Sequence, residues 1–178
     1  MMCRQLGHAV VALALLAACG APVDAPVGPP NAQAPRLERS SSAPVHQVTG
    51  GGKLDVSQFG LAPETYAFTA SKDADGSVRG QMQIRFSDPL VEIHADVTCL
   101  AVAGTSAWIG LVVTRSDDES LMPLGAERWV RVQDNGEGPN DPPDRMDFFR
   151  PGGGAARCNE QRPVAMPFVW LHGNIRVR

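Results

Sequence analysis

Hydrophobic and polar positions alternate with period two in several segments of the chain. In the segment 65–70 Tyr66, Phe68 and Ala70 alternate with Thr65, Ala67 and Thr69, and the segment 81–86 repeats the pattern. Successive side chains of a β-strand point to opposite faces, so this alternation indicates a strand with one buried face. Both segments are therefore predicted to be half-buried strands.

The segment 91–102 extends the alternation over a longer stretch. Its predicted core face consists of Val91, Ile93, Ala95, Val97 and Cys99. Its opposite face consists of Glu92, His94, Asp96 and Thr98. The next segment, 107–113, is apolar at nearly every position, as expected of a central strand that is buried on both faces.

Further strands are predicted at Trp129–Val132, Met146–Phe149 and Phe168–Val177. Turn-forming residues separate the strands at 73–77, 103–105, 134–138 and 152–154. No segment has the periodicity of an amphipathic helix longer than a few turns. The predicted fold class is all-β: a single antiparallel meander of about eight strands that forms a closed barrel or a sandwich, preceded by an N-terminal signal and a disordered stalk.

The first residues have the composition of an export signal. Arg4 precedes an apolar run, which ends in the small residues before Cys19. The segment 16–20, Leu-Ala-Ala-Cys-Gly, resembles the lipobox of bacterial lipoproteins. This resemblance implies a signal peptide over residues 1–18, lipidation of Cys19 and, in a diderm host, the outer membrane, because no Asp follows the cysteine. The alternative is an ordinary secretory signal that is cleaved near Ala18.

The segment 19–45 is rich in Pro, Ala and Ser and is predicted to be a disordered stalk. Recognition of these prolines by a partner is the alternative interpretation. The all-β domain is predicted to cover residues 46–178. The net charge of −3 excludes a polybasic protein that binds nucleic acid.

Two cysteines remain after the leader and the lipidation site, Cys99 and Cys158. An even pair in an exported protein favours a disulfide bond, because the compartment is oxidising. Metal binding is the alternative, with His46, His94 and His172 available as further ligands.

Several motifs of the domain resemble a family of exported bacterial all-β domains of uncharacterised function. They are the glycines of 50–52, Phe68, the turn 75–77, the segment 97–104, the loop residues 134–138 and 142–144, Cys158 and the segment 173–175. The resemblance implies the fold and the disulfide. It assigns no catalytic residue.

His94 and Asp96 are the first candidates for chemistry. They share a predicted strand face with Glu92 and Thr98, and a His beside a carboxylate can act as a general base. The structural interpretation, a solvated strand face, is favoured because the opposite face already forms a core stripe. No nucleophile motif completes a catalytic triad.

The second candidate is an acidic loop. It contains Asp134, Asn135, Glu137, Asn140, Asp141 and Asp144. Calcium prefers such oxygen ligands, but the spacing is not that of an EF-hand, and a rigid surface turn is favoured. Asp73, Asp75 and Gly76 are interpreted as a hairpin turn.

The third candidate is an aromatic surface patch. The residues concerned are Trp108, Trp129, Trp170, Tyr66 and Phe148. Because aromatics make up only 6% of the chain, most of them are expected in the core.

These observations favour a non-enzymatic interaction or structural domain that is anchored to the cell envelope by lipid. A small-ligand carrier with an open barrel interior is the alternative, and an enzyme is the third hypothesis. The expected partners are the membrane, through the lipid anchor, and an envelope protein or glycan. No nucleic acid, metal or cofactor is predicted.

Overall fold

A computed structural model describes residues 43–147 and 149–178. Nine strands, one short 3-10 helix (Ser57–Phe59) and one helix, α1 (Gly154–Asn159), make up this part of the chain. The strands are β1 (Pro44–Leu54), β2 (Glu64–Asp73), β3 (Val78–Ser87), β4 (Leu90–Ala103), β5 (Ser106–Ser116), β6 (Glu127–Gln133), β7 (Arg145–Met146), β8 (Arg150–Pro151) and β9 (Phe168–Val177). The predicted all-β fold is confirmed.

The strands form one antiparallel sheet whose pairings close into a ring. Consecutive strands from β1 to β7 are neighbours, β7 pairs with β9, and β9 pairs with β1. The strands β5 and β6 also pair, and this pairing closes the sheet into the ring. The order of the ring therefore follows the order of the chain, as a meander requires.

The predicted strand at Met146–Phe149 differs from the structure. Two short strands, β7 and β8, take its place and pair with different parts of β6. Between them Asp147 is fully buried, and its carboxylate accepts a hydrogen bond from Arg150 Nη2 at 3.0 Å. This ion pair spans the interruption between the two strands.

The predicted alternation of β2 and β3 is confirmed by the burial of their side chains. Tyr66, Phe68 and Ala70 face the interior, as do Met82 and Ile84, whereas the intervening residues are exposed or half-buried. Large side chains from the described strands fill the space that the ring encloses. The largest fully buried ones include Tyr66, Phe168, Leu54, Met82, Ile84, Ile93, Leu100, Ile109 and Leu111.

Strand β4 corrects the sequence prediction at one position. Val97 lies opposite Leu111, but Cys99 lies opposite Gly110, so Thr98 is an extra residue in a β-bulge. The bulge exchanges the two faces of the strand. From that point Leu100 packs in the main core, and Cys99 lies on the outer face, contrary to the single stripe predicted from Val91 to Cys99.

A second, smaller core lies outside the ring, between β4, β5, β6 and α1. Its buried members are Cys99, Ala101, Trp108, Trp129 and Cys158. A Cβ on Gly110 would lie 2.6 Å from the carbonyl oxygen of Gly154, so the helix start rests directly on β5. This second core explains why β5 is buried on both faces, as predicted.

The connections between strands divide the domain into two ends. The chain enters at Pro44, opposite Asp73, whereas Leu54 lies opposite Glu64 at the other end of β1. We call the end with Pro44, the turn 74–77 and the loop 134–144 the entry end. The distal end consists of the connections 55–63, 88–89 and 117–126.

The predicted domain start at His46 falls two residues inside β1, because Pro44 and Val45 belong to the strand. Proline is accommodated as the first residue of a strand. Within the described ranges, no helix is both long enough and apolar enough to cross a membrane.

Candidate functional site

The lipidation site predicted at Cys19, the signal peptide and the stalk up to residue 42 lie outside the described residues. Cys99 and Cys158 lie within them, with their Sγ atoms 2.16 Å apart and their Cα atoms 6.1 Å apart. This is the distance of a disulfide bond and agrees with the predicted pair. A bond across 59 residues would stabilise the fold by about 4 kcal/mol in the chain-entropy model.

The residues predicted as a possible general base lie on a solvated strand face, which we call the polar face. His94 is paired across the sheet with Gln83, and Asp96 with Gln81. His94 Nε2 lies 2.7 Å from Glu92 Oε1, and this hydrogen bond lowers the pKa of the Glu92 carboxyl. His94 therefore interacts with Glu92 rather than with Asp96. Thr98 lies at the bulge and is exposed.

The polar face contains an open groove of about 340 Å³ above β2, β3 and β4. Its floor includes Ala67 and Thr69, and its walls include Gln83, His94 and Asp96. His172 is not part of this groove, since it lies on β9 opposite Lys53. Four strand spacings separate β4 from β9, up to about 19 Å along the sheet. The structure therefore does not bring His172 together with His94 and Asp96.

The carboxylates of the acidic loop accept hydrogen bonds that hold the entry end together. Asp144 accepts from the backbone N–H groups of Asn135 at 2.8 Å and Ile175 at 2.6 Å. Asp134 accepts from Gly136 at 2.9 Å and from Val177 at 3.0 Å. Burial raises the pKa of the Asp144 carboxyl.

Two further acidic residues of this loop have structural contacts. Asp141 accepts from the Gly138 N–H at 2.7 Å, and Glu137 forms an ion pair with Arg176. Asn135 Nδ2 donates to the Pro143 carbonyl at 2.7 Å. In the part of the chain that the structure describes, no group of three or more His, Cys, Asp and Glu side chains is arranged to hold a metal ion. The contacts support the structural interpretation of the loop.

The motif at 73–77 forms the predicted hairpin turn between β2 and β3. The Gly76 N–H donates to the Asp73 carbonyl at 2.9 Å, and the Ser77 N–H donates to Asp75 Oδ1 at 2.8 Å. Asp73 also pairs with Arg79 of β3. These interactions stabilise the turn and support its interpretation as a structural element.

The aromatic candidates lie in the core rather than in an exposed patch. Trp108, Trp129 and Trp170 are each about 95% buried, and Tyr66 is buried with them. Arg131 lies 5.0 Å from the Trp108 ring centre and Arg150 5.7 Å from that of Trp129. Phe148 lies outside the described residues.

The distal end has a surface that sequence analysis did not identify. Five of the seven exposed large hydrophobic side chains of the described residues lie in its three connections or directly beside them. These side chains are Phe59, Leu61, Leu90, Leu121 and Leu124. Phe59 packs against Phe168, with ring centres 5.6 Å apart.

An apolar cleft of about 210 Å³ is lined by two of these side chains, Leu61 and Leu121. Leu61, Pro89 and Leu121 line it, and they come from the three different connections. The pairing of Thr65 with Arg85 and a hydrogen bond from Ser87 Oγ to the Pro63 carbonyl at 3.1 Å bring the first two connections together. The Asp117 N–H donates to the Glu92 carbonyl at 3.0 Å and fixes the third beside them.

One buried carboxyl group lines the distal cleft. Glu64 is 5% exposed, and its Oε2 accepts a hydrogen bond from the Tyr66 hydroxyl at 2.7 Å. Burial raises the pKa of Glu64, and burial together with the neighbouring carboxylate raises that of Tyr66 well above 10. The cleft therefore combines apolar walls with one buried carboxyl group, that of Glu64, and one exposed carboxyl group, that of Asp88.

No sequence signal identifies this surface, because its residues come from separate loops and have no motif spacing. The exposed leucines also resemble ordinary core residues in the sequence. No protein family model, curated protein or solved structure matches this chain.

Proposed function

We propose that this protein is a lipid-anchored, non-enzymatic interaction domain of the bacterial cell envelope that binds its partner through the distal end. The observation that carries the proposal is the apolar cleft lined by Leu61, Pro89 and Leu121, with three more exposed apolar side chains in or beside the same connections. Soluble proteins rarely expose contiguous apolar surface without a function, and such patches commonly mark interaction sites. The partner is an envelope protein.

The position of this surface fits a tethered protein. The described chain enters the domain at Pro44, at the end opposite the cleft. The cleft is therefore remote from the point at which an N-terminal tether would be attached to the domain.

The other candidate groups favour binding over catalysis. The acidic loop is held by backbone hydrogen bonds, and His94 is paired with Glu92 on an open face. The carrier hypothesis requires a ligand cavity inside the ring, where the described side chains pack closely instead. Both observations support an interaction domain.

The anchor is tested by fractionation of cells that express the wild type or Cys19→Ala. We expect the wild type in the detergent phase as a mature, acylated protein. The Cys19→Ala variant should be either uncleaved or released in soluble form. A mature Cys19→Ala protein that still partitions into detergent would contradict the lipid anchor.

A further inference from the structure

The charge of the distal end indicates the chemistry of its partner. The connections 55–63, 88–89 and 117–126 contain five acidic residues and no Lys, Arg or His. The acidic residues are Asp55, Asp88, Asp117, Asp118 and Glu119. Asp88 lines the apolar cleft, and the other four acidic residues lie in the connections that form the distal end.

Four cationic side chains at the adjacent strand ends offset part of this charge: Lys53, Arg85, Arg115 and Arg128. Arg115 Nη2 lies 3.5 Å from Asp117 Oδ1, and Arg128 Nε lies 3.1 Å from Met122 Sδ. Both arginines belong to strands, β5 and β6, rather than to the connections. Glu64 adds a carboxyl group inside the cleft itself.

We propose that the distal end binds an amphipathic polypeptide segment of its partner that carries apolar side chains flanked by Lys or Arg. This inference rests on the proposed function and names its partner class. Leucine-sized side chains fit the apolar walls between Leu61 and Leu121. The flanking cations meet the acidic connections, and one of them reaches Glu64.

The same charge argues against a membrane as the occupant. Surfaces that insert into bacterial membranes combine apolar side chains with Lys and Arg, which attract anionic lipids. The distal connections have the opposite charge, so an anionic bilayer would repel them. An amphipathic basic polypeptide is attracted both by the apolar cleft and by the acidic connections.

Binding is measured with the fraction of the exported Cys19→Ser chain that is released in soluble form, because this fraction lacks the acyl anchor and needs no detergent. The probes are three synthetic amphipathic helices of about 18 residues with the same leucines, and with Lys, Glu or Ser at the polar positions. We expect the Leu/Lys peptide to bind most tightly and to weaken as salt is raised.

Two pairs of substitutions locate the binding. Leu61→Ser with Leu121→Ser should weaken the Leu/Lys peptide roughly tenfold or more, because two apolar contacts are lost. Asp88→Asn with Glu119→Gln should weaken it about two- to fivefold and reduce its salt dependence. Gln83→Ala, on the polar face, is the matched control and should leave binding unchanged. The melting temperature of each variant verifies that it folds.

The outcomes separate this inference from the proposed function. If the Leu/Glu or Leu/Ser peptide binds best and the leucine substitutions abolish that binding, the distal end is a docking surface and only the basic class is wrong. If no peptide responds to the leucine substitutions, both proposals are wrong. Distal-end-dependent binding to phosphatidylglycerol vesicles, instead of to the peptides, would identify a membrane-binding surface and overturn the inference.

Discussion

At the scale of single residues, Glu64 is a buried acidic residue that lines the distal cleft. Its carboxyl group is buried at the distal cleft and has the Tyr66 hydroxyl as its hydrogen-bond donor. Burial disfavours the charged form of a carboxyl group more than the single hydrogen bond favours it. A cation from a partner would reverse this balance.

The raised pKa of Glu64 predicts a defined pH dependence of stability. The folded state keeps a proton that the unfolded chain releases near pH 4.5, so this contribution to stability is complete below that pH and is lost as the pH rises through the folded pKa. The free energy of unfolding of the wild type should therefore fall relative to Glu64→Gln as pH increases above 4.5.

Tyr66→Phe provides a second variant for the same measurement. In the wild type, the hydrogen bond from the Tyr66 hydroxyl lowers the pKa of Glu64. Removal of the hydroxyl should therefore raise the pKa of Glu64 further, and the loss of stability should extend to higher pH. Urea unfolding at a series of pH values measures both effects. Parallel curves for the wild type and Glu64→Gln would show that Glu64 is not perturbed.

At the scale of elements, the sequence predicts strands where one face is buried and the other is solvated. Residues 65–70 and 81–86 have this pattern and lie in β2 and β3 as predicted. The alternating pattern does not predict the bulge at Thr98, because the extra residue does not change the kinds of amino acid found in the strand. It also fails at Asp147, whose buried carboxylate pairs with the half-exposed Arg150 between the two short strands that replace the predicted one.

Packing of α1 on β5 predicts a difference between two glycines. A Cβ on Gly110 would lie 2.6 Å from the Gly154 carbonyl oxygen, whereas a Cβ on Gly51 would meet no atom within 4 Å. Gly110→Ala should therefore displace α1 and reduce the free energy of unfolding by about 1–3 kcal/mol. Gly51→Ala is the matched control and should change it by about 0.5 kcal/mol or less. Equal effects in urea unfolding would contradict the close contact.

At the scale of the whole molecule, the order of β2 to β5 in the ring was predictable, because the short turns 74–77, 88–89 and 104–105 join these strands. The candidate site was not. Its residues Leu61, Pro89 and Leu121 are far apart in sequence and converge only when β1–β5 are aligned. The sequence predicted other candidates instead, namely His94, Asp144 and the tryptophans. In the folded domain these residues have structural contacts that the sequence does not show.

The central claim, that the distal end contacts a partner, is tested most directly by site-specific photo-crosslinking in intact cells. A photoreactive amino acid is placed at Leu121 on the distal end, at Gln83 on the polar face or at Ser77 on the entry end. All three positions are at the surface, so they differ mainly in what approaches them.

The account predicts a discrete crosslinked protein from position 121, with little or no product from positions 83 and 77. The product should disappear when Leu61→Ser is added, because that substitution removes the opposite wall of the cleft. Crosslinking from position 83 or 77 without crosslinking from position 121 would contradict the assignment of the distal end as the binding surface.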